Sequence, residues 1–78
     1  MTQCKISLNS IKQVNEFVAL ASACKYEIDI VSGRYVVDAK SIMGIYSLDL
    51  TKQLDLNIHA DPDEASDFIE SINEFVVK

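Results

Sequence analysis

Histidine is nearly missing from this chain of 78 residues: there is one, His59, alongside one proline, two glycines, two cysteines and no tryptophan. Two cysteines at positions 4 and 24 and a distant histidine offer no recognised ligand spacing, so neither a metal nor a cofactor is expected. Cys4 falls in an apolar strand pattern and Cys24 on the apolar side of a helix pattern, and both read as small buried hydrophobes rather than a disulfide pair. No stretch is rich in glycine, serine or proline and none repeats, which argues against linkers or disorder. A single ordered domain over residues 1–78 is expected, hiding roughly 60% of its unfolded surface in a two-layer packing. No apolar run approaches the ~20 residues that span a bilayer, and the chain opens on a strand pattern where a signal peptide would carry a hydrophobic run. Membrane insertion is not expected, and the expected location is cytoplasmic. Positive charge is also scarce, seven lysines and arginines against twelve carboxylates for a net charge of -5. Phosphate backbones are held largely by Lys and Arg, so nucleic acid is not expected as a direct ligand.

What is present is periodic. Cys4, Ile6 and Leu8 alternate with Lys5 and Ser7 as in a strand buried on one face. Ser10 then opens a helix, with Gln13 completing a capping box, and Ile11, Val14, Phe17, Val18, Ala21 and Cys24 recur at the helical period; this helix is expected over 11–24. Alternation returns over Tyr26 to Val31, and Ser32-Gly33 turns the chain into Tyr35-Val36-Val37, a hairpin. Lys52 to Ala60 alternates through Leu54, Leu56, Ile58 and Ala60. Asp61 is expected to cap a last helix, with Pro62 at its first position and Ala65, Phe68, Ile69, Ile72, Phe75 and Val76 as its apolar stripe. The order βαββαβα gives an α+β fold: an open-faced sandwich, with a four-stranded antiparallel sheet carrying two long helices and one short helix on one face. His59 alternates outward onto the bare face of that sheet and reads as an ordinary exposed residue.

The short helix between the strands, Ser41 to Leu48, is the most informative segment. Ser41 stands at its N-cap, where the hydroxyl accepts from a backbone N–H and where a phosphate would meet free amides. Ile45 and Leu48 share one side and Ile42, Met43 and Tyr46 the other, so a one-turn helix cannot bury both sets. Ile45 and Leu48 are assigned to the core, and Ile42, Met43 and Tyr46 to an exposed apolar patch suited to docking. Gly44 lets a partner approach the backbone closely. On the residues alone, Ser41 reads first as a plain helix cap worth about 1 kcal/mol, and internal packing is the alternative for the patch.

Lys40-Ser41-Ile42-Met43-Gly44-Ile45-Tyr46-Ser47-Leu48, in this place in the element order, resembles the regulatory-serine region of HPr, the phosphocarrier protein family of the bacterial sugar phosphotransferase system. The family's working motif, Gly-(Leu or Ile)-His-Ala-Arg-Pro-Ala at the start of the first helix, stands here as Asn9-Ser10-Ile11-Lys12-Gln13-Val14-Asn15. By element position the carrier histidine falls near Lys12, and an ammonium is a poor nucleophile. The resemblance implies a protein that is not an enzyme, similar to the catabolite-repression homologue of HPr in lacking that histidine and keeping the serine. It implies regulation by docking through Lys40, Ile42, Met43, Gly44 and Tyr46, with Ser41 phosphorylated by an ATP-dependent HPr kinase/phosphorylase and a LacI-type transcriptional regulator as partner. The alternatives are a phosphoryl carrier between enzyme I and the sugar-specific transport components, and a docking module that is never phosphorylated.

Overall fold

The computed structural model describes residues 1–77. Four strands, β1 (Thr2–Ile6), β2 (Ile28–Ser32), β3 (Tyr35–Asp38) and β4 (Leu54–Ile58), form one sheet in the order β1-β4-β2-β3, with every neighbouring pair antiparallel. Three helices, α1 (Ile11–Ser22), α2 (Ile42–Tyr46) and α3 (Pro62–Ser71), complete the open-faced α+β sandwich, and a 3-10 turn at Asn73–Phe75 follows α3. No helix among the described residues is long and apolar enough to cross a membrane.

Strand alternation builds the core directly. Ile6, Ile28, Ile30, Leu54, Leu56 and Ile58 are fully buried on the helix-bearing side. Lys5, Asp55 and Asn57 lie between them on the bare face, where Lys5 sits opposite Asp55 at 3.9 Å, an exposed pair worth little. Val14, Phe17 and Ala21 of α1 and Ala65 and Phe68 of α3 close the core from above. At its centre Phe17 meets the edges of Phe68 at 6.1 Å and Phe75 at 6.2 Å, the T-shaped arrangement that ring quadrupoles favour.

Several boundaries differ from the sequence reading. The first helix stops at Ser22 with Ala23 as its C-cap, so Cys24 lies beyond it; both cysteines are half-buried rather than buried. Burial still raises the Cys4 thiol pKa, consistent with an unreactive small side chain. The capping box is displaced by one residue: Ser10 Oγ accepts from Gln13 N at 3.2 Å, but Gln13 Oε1 accepts from Asn9 N at 2.7 Å, not from Ser10 N. β2 starts at Ile28 rather than at Tyr26. Asp61 takes the N-cap backbone position of α3 without a side-chain capping bond, and Pro62 does open the helix. α3 ends at Ser71, not near the C-terminus. After the 3-10 turn the backbone extends, Val76 bridges Ile6, and Val77 N donates to the Lys5 carbonyl at 2.9 Å. Apolar spacing alone carried the helical pattern through Phe75 and Val76, because an extended residue flanking the core continues the stripe equally well.

Candidate functional site

The loop from β3 into α2 positions Ser41. Asp38 Oδ1 accepts from Lys40 N at 2.9 Å and its carbonyl accepts from Ser41 N at 3.0 Å, which turns the chain sharply and leaves Ser41 extended (φ -103°, ψ 106°) ahead of the helix. Its Oγ accepts from Gly44 N at 3.2 Å, the N-cap bond expected from sequence. Ser41 is exposed. α2 spans five residues, so its macrodipole is small, and any gain for a charge at Ser41 comes from the nearby N–H groups rather than from the helix as a whole. Gly44 is tightly placed: a Cβ there would sit 3.3 Å from both Ser41 Oγ and Val37 Cβ, so this glycine lets α2 lie close under β3 while keeping the cap geometry.

The structure divides the residues of α2 as follows. Ile45 is fully buried and Leu48 nearly so, whereas Met43 is 74% exposed and Tyr46 39% exposed. Ile42 is a correction to the expected patch, being half-buried and packed against the core. A residue assigned to the first helix's buried stripe takes its place on the surface: Ile11 is 69% exposed at the first position of α1. Ile11 and Tyr46 flank a shallow groove of about 430 Å³ whose other walls include Leu8, Leu50 and Thr51. The Tyr46 hydroxyl reaches Asn15 Oδ1 at 3.5 Å, so α1 and α2 present one continuous surface. Beside the groove, hydrogen bonds from the Thr51 hydroxyl and amide hold the Asp49 carboxyl below the usual range.

Lys12 is exposed in the first turn of α1, free of the core, where the sequence placed it. Lys40 is less available than expected, since its ammonium donates to the Cys24 carbonyl at 3.0 Å and ties the β3–α2 loop to the end of α1. His59 is exposed on the bare sheet face, but it is not solitary: Nε2 lies 2.7 Å from Asp29 Oδ2. The pair joins β2 to the end of β4, and both side chains remain about a third exposed. Half-exposed pairs of this kind contribute little, so His59→Ala is expected to cost under about 1 kcal/mol in urea unfolding. A larger loss would mean that the pair anchors the sheet.

No curated protein matches the chain. Solved structures match it along nearly its whole length. HPr-C-His from Thermoanaerobacter tengcongensis superposes with a TM-score of 0.76 at 27% identity, covering 95% of this chain and 92% of that one. The phosphocarrier protein HPr of Bacillus anthracis str. Ames gives 0.72 at 22% identity, covering 97% and 96%. The catabolite repression protein Crh of Bacillus subtilis gives 0.64 at 19% identity, covering 94% and 88%. The last two identities speak for the fold alone. The family model described as the PTS HPr component phosphorylation site matches residues 10–78, a span holding both the α1 start and the Ser41 helix, and the chain belongs to the HPr family.

Proposed function

We propose that this protein is a regulatory member of the HPr family that works in the cytoplasm by docking onto other proteins through the α1–α2 surface, with phosphorylation of Ser41 as its switch. The observation that carries the reading is the placement of Ser41: an exposed hydroxyl on the N-cap of α2, two residues from the exposed Met43 and on the same surface as Tyr46 and Ile11. A phosphoryl group there adds roughly -1.5 to -2 charges beside an apolar contact surface. Partners that bury Met43 would lose affinity, and partners that offer an arginine at that point would gain it. Lys40, Ile42, Gly44 and Tyr46 complete the proposed contact region, Ile42 by anchoring α2 on the core and Lys40 by fixing the loop. The proposed partners are an HPr kinase/phosphorylase and a LacI-type transcriptional regulator.

The carrier role is disfavoured by the chemistry at the start of α1. Phosphoryl transfer to a side chain there needs a nucleophile with a free lone pair, and Ser10, Ile11 and Lys12 provide none comparable to an imidazole. His59 is held by Asp29 on the bare sheet face. Incubation with enzyme I and phosphoenolpyruvate is therefore expected to leave the protein unmodified, while HPr kinase with ATP adds one phosphate to wild type and none to Ser41→Ala, both read by intact-mass spectrometry. Acid-labile phosphate from enzyme I, or undiminished labelling of Ser41→Ala, would remove this reading.

A further inference from the structure

The two edges of the sheet end differently. The outer edge of β1 is sealed by the C-terminal segment: Val76 bridges Ile6, Ser7 N donates to the Phe75 carbonyl at 2.8 Å and Val77 N to the Lys5 carbonyl at 2.9 Å. On the outer edge of β3 no strand pairs among the described residues. The β2–β3 register sets Ser32 opposite Tyr35 across a two-residue turn, and Ala39 N donates to the Ile28 carbonyl at 2.8 Å. Bonded and non-bonded pairs alternate in an antiparallel ladder, so Tyr35 and Val37 spend their backbone groups on β2, and the N–H and C=O of Val36 point away from it. Val36 is 63% exposed and its neighbour Tyr35 71% exposed.

Open edges are commonly guarded by lysines, proline or charges that repel a second strand. Charges of opposite sign flank Val36 symmetrically in sequence: Arg34, the second residue of the turn, lies two residues before it, and Asp38, the last residue of β3, two residues after it. An antiparallel pairing of this edge with itself about Val36 sets Val36 opposite the partner's Val36 and brings Arg34, at the turn, beside the partner's Asp38 at its strand end, and Asp38 beside the partner's Arg34. On the other face Tyr35 meets the partner's Val37, and Val37 the partner's Tyr35. Opposite charges and aromatic/β-branched pairs are the favourable cross-strand neighbours. Other alignments lose this. A shift of two residues places Val36 against Asp38 and Arg34 against Lys40, and a parallel arrangement places like charges side by side.

We propose that this chain associates with a second copy of itself through the β3 edge, in a two-fold antiparallel pairing centred on Val36 that joins two four-stranded sheets into one. A four-residue edge is a small contact, so the association belongs to the weak, transient class.

Sedimentation equilibrium is expected to show the mass of the wild type rising from 8.7 kDa toward twice that value as the concentration approaches about 1 mM. Arg34→Asp and Asp38→Arg should each stay monomeric, and their equimolar mixture should regain the dimer, because every Asp in the mixed pair then faces an Arg. Asp38 also accepts from Lys40 N, so Asp38→Arg could loosen the α2 turn. Amide exchange of the unmodified protein therefore provides a second readout: the Val36 amide should be protected in concentrated samples and exchange at least tenfold faster in dilute ones. A wild type that is monomeric throughout overturns the proposal. So does a Val36 amide whose exchange ignores concentration, or a dimer that ignores both charge reversals, as one made by exchanging whole elements would.

Discussion

Phe17→Ala should cost about 3 to 5 kcal/mol, the largest single-residue loss of stability expected in this protein. Phe17 is fully buried and is the ring on which α1, α3 and the 3-10 turn converge, with Phe68 and Phe75 both presenting edges to it. Truncation removes the burial of a whole ring and two aromatic contacts of about 0.5 to 1.5 kcal/mol each, and it leaves a void that the three elements cannot close without shifting together. Domains of this size hold only about 0.05 to 0.15 kcal/mol per residue, so the loss takes a large part of the total. Urea unfolding followed by circular dichroism measures it. Phe17→Leu, which keeps much of the volume, should lose distinctly less. A drop below about 1 kcal/mol for alanine would mean that the three rings do not form the centre of the core.

The second large effect concerns binding and leaves the fold alone. Met43→Asp is expected to shift the urea midpoint by no more than about 0.5 kcal/mol, because the side chain is mostly exposed and bonds to nothing. Its effect on docking should be about 2 kcal/mol or more, roughly a thirtyfold loss of affinity, since a carboxylate at the centre of an apolar contact must be desolvated without a partner. Calorimetric titration of the Ser41-phosphorylated protein against a LacI-type regulator, wild type beside Met43→Asp, reads this directly. Unchanged affinity with an unchanged fold would make α2 ordinary surface and move the docking site elsewhere.

The sequence was most legible where a local rule acts alone. Alternation identified Leu54, Leu56 and Ile58 as core, Ser32-Gly33 identified the hairpin, and Gly33 is the one described residue with positive φ, as its turn requires. The cap at Ser41 and the split of Ile45 and Leu48 from Met43 and Tyr46 also follow from spacing within one turn. Ile11 and Ile42 escaped for a common reason. Helical periodicity states which residues share a side but not how far an end overhangs the layer below, so the first residue of α1 is exposed while the first residue of α2 reaches the core. The His59–Asp29 pair depends on β4 lying beside β2, where Asp29 is opposite Asn57, and such register between distant strands is invisible in either strand alone. The proposed docking surface was thus half legible: α2 supplied its part by local spacing, and α1 contributed Ile11 only through tertiary placement.

The strand order also bears on how the chain reaches this state. Within the sheet only the β2–β3 hairpin joins neighbours in sequence. β4 must find β2 across α2, and β1, the first of the four in the chain, waits for β4 and then for Val76 before both of its edges are occupied. Closing such loops costs entropy before any contact repays it, although the cost grows only with the logarithm of loop length. Non-local pairings of this kind make a mixed α+β domain slower to fold than a helical bundle of the same size. The first strand of this sheet in the chain is therefore the one whose strand partners come last, and until residues 54–58 and 76–77 are in place its backbone edges stay unpaired.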